Sequence, residues 1–204
     1  RGVCCYLSNR ITEEADLVVV CTGVRPNTAF LDPDQVRLEE GLVVDDRTAT
    51  TAPNIHGAGD ICRTVNPLSG GLEWMGTWRN ACSQGWIAGC NMAGKDIGYS
   101  GAVPENITPF FEWTYAQIGD VWSAVGRNAE SVVFGDRKKN ELGLLLFVDG
   151  LLVAANLVNC TGLAGPIRKA IVTKSFWKER DDVRKQDFPS PAVEALLRSA
   201  GCFG

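Results

Sequence analysis

TTAPNIHGAGDIC, residues 50–62, runs through a proline and a turn of small residues to a single carboxylate, Asp60. Upstream, ADLVVVCTGVRPNT (15–28) carries a short β-branched run, Leu17–Cys21, ended by Gly23. Such a run predicts a buried strand, and Pro26 and Asn27 then turn the chain. EGLVVDDRTAT (40–50) predicts a second strand, bounded by Gly41 and the Asp45–Asp46 pair, and NIHGAGD (54–60) a brief strand entering a glycine-rich turn. After a loop containing NPLSGG (66–71), residues 74–93 show helical periodicity, with Trp78, Ala81, Cys82, Gly85, Ala88, Gly89 and Met92 on one face. That face is small, and each glycine in it costs about 1 kcal/mol of helix propensity relative to alanine. It predicts a helix lying close against a sheet or a bound group.

Glycine, serine and proline cluster in GKDIGYSGAVPEN (94–106), which marks a domain boundary. Beyond it the sequence predicts short strands: FFEWTYAQI (110–118), VWSAVG (121–126), SVVFGD (131–136) and LGLLLFVDGLLVAANLV (142–158). In the last, Asp149-Gly150 between two apolar runs is a hairpin signal. AGPIRKAIVTK (164–174) predicts a short helix with Pro166 in its first turn. After the charged stretch KERDDVRKQ (178–186), SPAVEALLRSAG (190–201) predicts a terminal helix capped at Ser190, with Pro191 first and Gly201 as its stop.

Composition bounds the function. The 204 residues are 45% hydrophobic and 22% charged, with a net charge of −4, so no basic footprint suggests nucleic acid. The longest apolar runs, Leu17–Cys21 and Leu144–Val148, are too short for a transmembrane helix. Eight cysteines without a CxxC spacing, and a single histidine, fit neither a disulfide framework nor a zinc cluster. They read as reduced thiols used as small apolar residues in a cytoplasmic protein.

In this order and separation, ADLVVVCTGVRPNT, TTAPNIHGAGDIC and TWRNACSQGWIAGCNMAG (77–94) resemble the second half of the pyridine nucleotide–disulfide oxidoreductases. These are flavoproteins with two dinucleotide-binding domains. Within the family the similarity is to rubredoxin reductases, NADH oxidases, coenzyme A-disulfide reductases and the flavoprotein part of nitrite reductases. It runs over 14–94, continues more weakly over 108–172, and does not reach 175–204.

The resemblance implies a fold of class α/β and α+β. A Rossmann-like, partial FAD-binding half-domain is followed by a smaller C-terminal α+β interface domain with an antiparallel sheet. The implied boundaries are 1–28 for the end of an NAD(P)-binding domain, 29–100 for the FAD half-domain, 101–174 for the interface domain and 175–204 for a charged tail. It implies FAD as cofactor and NAD(P)H as co-substrate. Asp60 would bond a ribityl hydroxyl, the Ile61 amide would approach the pyrophosphate, and Gly57 and Gly59 would clear space for the ligand. The helix start at Gly76 and Thr77 would face the flavin pyrimidine edge. Thr22 and Gly23 match the turn closing the NAD(P)-binding domain, with no catalytic role. No such role falls to His56 or to any cysteine.

The same resemblance demands two GxGxxG fingerprints, and the sequence holds none; GAGDIC has Cys62 where the third glycine should stand. The expectation is therefore a C-terminal portion of a longer reductase, inactive alone. Its partners would be an N-terminal FAD/NAD(P)-binding region, a second copy in a homodimer and a redox-protein acceptor. The competing expectation is a non-catalytic assembly module, or one subunit of a split flavoenzyme.

Overall fold

The computed structural model describes residues 2–66, 69–99, 101–121 and 127–174, together with Val193 and Arg198. The chain opens on a hairpin, β1 (Val3–Tyr6) against β2 (Thr12–Ala15), paired antiparallel from Val3↔Ala15 to Tyr6↔Thr12. The turn is closed by Leu7 N–H donating to Ile11 O at 2.9 Å, with Arg10 in the left-handed region at φ 66°.

The strand expected at Leu17–Cys21 does not form: these residues lack regular secondary structure, and Leu17, Val19 and Val20 are 76%, 71% and 77% exposed. A β-branched run favours a pleated, half-buried surface only where a neighbouring strand provides one. No described strand lies beside this run.

The next unit is a three-stranded sheet in the order β3-β4-β5. β3 (Leu42–Val43) lies parallel to β4 (Cys62–Val65), and β4 pairs antiparallel with β5 (Leu72–Trp74). The strand expected within NIHGAGD therefore begins after the glycine turn rather than before it; upstream, only an isolated bridge joins Ala49 and His56. Val36, Leu42, Val44 and Cys62 form the core here, with Leu31, Leu38, Ala52 and Ile61 packed against it.

Helix α1 (Trp78–Met92) is capped by Thr77, whose side chain accepts from the Asn80 amide. The helix forms where periodicity predicts it but turns a different face inward. Asn80, Gln84, Ile87 and Ala88 are its buried residues, while Trp78 is 87% exposed. A Cβ built at Gly85 or Gly89 would meet nothing within 4 Å. Hydrogen bonding decides the orientation. Asn80 Nδ2 donates to Met75 O at 2.8 Å, and Gln84 Oε1 accepts from Gly59 N–H at 2.8 Å. Asn91 Nδ2 donates to Arg47 O and Ile97 O, both at 2.9 Å. Carboxamides at positions 80, 84 and 91 share one side of the helix, and they satisfy loop backbone groups that no apolar side chain could.

The second half builds a five-stranded antiparallel sheet, ordered β6-β7-β10-β9-β8. Its strands are β6 (Glu105–Phe110), β7 (Trp113–Gly119), β8 (Ala129–Asp136), β9 (Glu141–Val148) and β10 (Leu151–Val158). FFEWTYAQI is therefore a hairpin corner and not one strand: β6 ends at Phe110, Phe111 takes φ 53°, and Trp113 starts the return. β6 already starts at Glu105, inside the glycine- and proline-rich break, and carries Pro109 because it is an edge strand. Asp149-Gly150 makes the two-residue turn expected of it, with φ 52° and 78°, and sets Leu151 opposite Val148. VWSAVG lies outside the described residues apart from Val121, as does the 190–201 helix apart from Val193 and Arg198.

Helix α2 (Ala164–Val172) holds Pro166 in its first turn and covers one face of this sheet. Ala164, Ile167, Ala170 and Ile171 join Ala116, Ile118, Phe147 and Leu157 in the larger core. Each of the isoleucine, leucine and phenylalanine side chains contributes about 1.5–3 kcal/mol on burial. The opposite sheet face leaves Trp113, Tyr115, Val133 and Leu142 exposed.

Candidate functional site

The glycine turn and the start of α1 come together through three side chains, Ala81, Gln84 and Trp74, and two glycines. Gly59 has φ +82°, open to a residue without Cβ, and a Cβ there would lie 3.5 Å from that of Ala81 in the first turn of the helix. Gln84 ties the same glycine to the helix through the 2.8 Å bond to its amide. Trp74 Nε1 donates to Asp60 O at 2.5 Å, which fixes the Asp60 peptide from the β5 side. The Trp74 ring also lies over Gly76, where a Cβ would sit 2.5 Å from ring carbons. Gly59, Asp60 and Ile61 on one segment, and Gly76 and Thr77 on another, therefore flank one place in the fold.

What this place presents is unpaired. The Asp60 carboxylate is exposed and makes no hydrogen bond or ion pair among the described residues. The Ile61 amide has no acceptor among the described residues, while its carbonyl accepts from Leu42 N–H at 2.8 Å. At the helix start Thr77 Oγ1 takes the Asn80 amide at 3.4 Å, and Thr77 O takes the Ala81 amide at 3.0 Å. The Trp78 and Arg79 amides are left open, as first-turn donors are. Gln84 Nε2 is buried and has no hydrogen-bond partner among the described residues. The two segments thus carry one free carboxylate, open N–H groups and about half a positive charge from the helix dipole. That set fits a ligand with hydroxyl donors and an anionic part, as FAD has. Beside Trp74 a cleft of about 480 Å³ opens, lined also by Val24, Arg25, Pro26, Thr28 and Leu38.

Gly57 has a different task from the one expected. It is buried, and a Cβ there would meet Leu42 Cδ2 at 2.7 Å, Cys62 Sγ at 2.8 Å and Val44 Cγ1 at 3.1 Å. Its close approach is to the protein core. His56 Nδ1 lies 3.3 Å from the hydroxyl of buried Thr48. Burial pushes the Cys62 thiol up to about 12, so it stays protonated and unreactive at neutral pH. The described cysteines are all free. Among the described residues no cluster of His, Cys, Asp and Glu could hold a metal ion, and no helix is long and apolar enough to cross a membrane.

Sequence reasoning missed Trp74, Asn80, Gln84 and Tyr99. Tyr99, pushed up to about 12 by burial, keeps its proton and donates it to Asn80 Oδ1, which holds the first turn of α1 in place. The available signal was the i, i+4 spacing of Asn80 and Gln84 beside apolar Ile87 and Ala88, polar groups where a plain core helix would carry none.

Residues 5–85 match the pyridine nucleotide-disulphide oxidoreductase family. The chain is 29% identical over 108 residues to an NAD(P)H sulfur oxidoreductase (CoA-dependent) of Pyrococcus furiosus, covering 52% of this chain and 24% of that protein. It is 26% identical over 181 residues to the NADH-rubredoxin oxidoreductase of Clostridium acetobutylicum, covering 86% and 45%. A crystal structure of an FAD-dependent pyridine nucleotide-disulphide oxidoreductase from Desulfovibrio vulgaris shares the fold, with a TM-score of 0.75 at 23% identity over 95% of this chain and 49% of that one. The chain spans less than half the length of each of these relatives.

Proposed function

We propose that this chain, a member of the pyridine nucleotide-disulphide oxidoreductase family, is the C-terminal portion of an FAD-dependent NAD(P)H oxidoreductase. The observation that carries the proposal is the unpaired Asp60 carboxylate on a glycine turn that Gln84 and Ala81 tie to the first turns of α1. Bound FAD would supply the acceptor for a hydride from NAD(P)H and the donor of electrons to a disulfide, a small redox protein or oxygen.

The chain's own residues then have these tasks. Asp60 accepts a hydrogen bond from a ribityl hydroxyl, which suits a carboxylate without a cation partner. Gly59 permits the turn, and the Ile61 amide faces the pyrophosphate. The open end of α1, at Gly76 and Thr77, turns its partial positive charge to the flavin pyrimidine edge, where reduction gathers negative charge. Residues 1–28 close the NAD(P)-binding domain, 29–100 form the FAD half-domain and 101–174 the interface domain, with 175–204 as a charged tail. A further region supplies the glycine-rich fingerprints. The sheet face bearing Trp113, Tyr115, Val133 and Leu142 pairs with a second copy in a homodimer, since an exposed apolar patch of this kind marks an association surface.

The test is anaerobic titration of the full-length protein with NADH or NADPH, followed at the flavin absorption band. Purified protein that is yellow and bleaches on addition of one equivalent supports the proposal. Colourless protein that neither takes up FAD nor responds to nicotinamide cofactor would leave the assembly-module reading in its place.

A further inference from the structure

A second cleft, of about 520 Å³, lies between α1, α2 and the connecting residues near Tyr99 and Val103. Trp86, Ile87, Val103 and Val172 give it an apolar wall; its charged lining is Arg79 and Arg168, with no carboxylate among the described lining residues. Two guanidinium groups repel, and one acid holds them together. Glu105 Oε2 lies 2.9 Å from Arg79 Nε and 3.7 Å from Arg168 Nε, and the Glu105 side chain is only 7% exposed. One carboxylate cannot neutralise two cations, so the cluster keeps a net positive charge.

Its donors are also in excess. Arg168 Nε is buried without a hydrogen-bond partner, because 3.7 Å is too long for one. Beyond the Arg79 Nε bond to Glu105, neither guanidinium group makes a hydrogen bond among the described residues. Surplus planar donors beside an indole and aliphatic side chains complement an anion that carries an apolar body. The volume falls within the range of small-molecule sites, roughly 300–1,000 Å³.

The geometry points to a binding site for an organic phosphate or carboxylate in this cleft. Arg79 and Arg168 bridge its anionic head, and Trp86 and Ile87 take its apolar body. The cleft shares Thr77 with the helix start proposed for the flavin, but its anion site is argued from the Arg79 and Arg168 side chains and not from flavin binding.

Phenyl phosphate and benzoate are the probes, titrated into the full-length protein at low ionic strength and followed by calorimetry and by Trp86 fluorescence. Saturable binding is expected for at least one, with inorganic phosphate about tenfold weaker or worse for lack of an apolar body. Arg79→Gln and Arg168→Gln should each weaken the better probe about tenfold or more, and Arg168→Lys less than Arg168→Gln. Tighter binding of phenyl phosphate assigns the natural ligand as a phosphate, and of benzoate as a carboxylate. Arg79 is 59% exposed but is the 2.9 Å partner of buried Glu105, so circular dichroism and thermal unfolding check that Arg79→Gln keeps the fold before its affinity is read. No saturable binding of either probe up to about 10 mM, or affinities unchanged in both glutamine variants, would overturn the inference.

Discussion

Asp60→Ala in the full-length protein is expected to weaken FAD binding about tenfold to a hundredfold, because a hydrogen bond to a charged group is worth about 1.5–3 kcal/mol. The fold should survive. Asp60 is exposed, its side chain holds no other residue, and the two bonds that fix the turn run through backbone groups: Gly59 N–H to Gln84, and Trp74 to the Asp60 carbonyl. Asp60→Asn, which retains an acceptor oxygen, should lose less flavin than Asp60→Ala. Flavin per protein after gel filtration reads the effect, and far-ultraviolet circular dichroism checks the fold. Wild-type flavin content in Asp60→Ala would mean that the carboxylate does not touch the cofactor.

Gly57→Val should act on the other side of the same turn and by a different route. The new side chain would enter a space already occupied by Leu42, Val44 and Cys62 at 2.7–3.1 Å from its first carbon. Overpacking of this kind costs about 1–3 kcal/mol, and a branched side chain against three buried neighbours belongs at the upper end. Urea denaturation should show a lower midpoint that excess FAD does not restore to the wild-type value. An unfolding free energy within about 0.5 kcal/mol of wild type would show that the core around Cys62 yields more easily than its packing indicates.

Local chemistry was legible in the sequence and tertiary partnership was not. The Asp149-Gly150 hairpin could be read because the two residues that set the turn also set the register of β9 and β10. Pro166 in the first turn of AGPIRKAIVTK pointed to α2 because its fixed φ suits a helix start. At Leu17–Cys21 the residue types are those of a strand, but a strand exists only with a partner, and none of the described strands pairs there. FFEWTYAQI reads as one apolar run because a corner at Phe111, with φ 53°, has no glycine or asparagine to announce it.

The candidate site divides in the same way. Its glycine turn and helix start are contiguous motifs, and the chain order alone suggests that they meet. The parts that join them are single side chains from elsewhere: Trp74 reaches the Asp60 carbonyl, Gln84 the Gly59 amide and Tyr99 the side chain of Asn80. A helix ranked by hydrophobicity puts Trp78 inside; these polar bonds put Asn80 and Gln84 there instead. Gly57 shows the converse limit. A glycine marks a close approach, and only the fold tells whether protein or ligand makes it.

Hydrogen–deuterium exchange on the full-length protein, flavin-free and then reconstituted with FAD, tests most directly whether the turn and the helix start grip the cofactor. Slower exchange is predicted at the amides of Asp60, Ile61, Trp78 and Arg79, which have no acceptor among the described residues. Stoichiometric FAD binding that leaves exchange at all four amides unchanged would contradict the account.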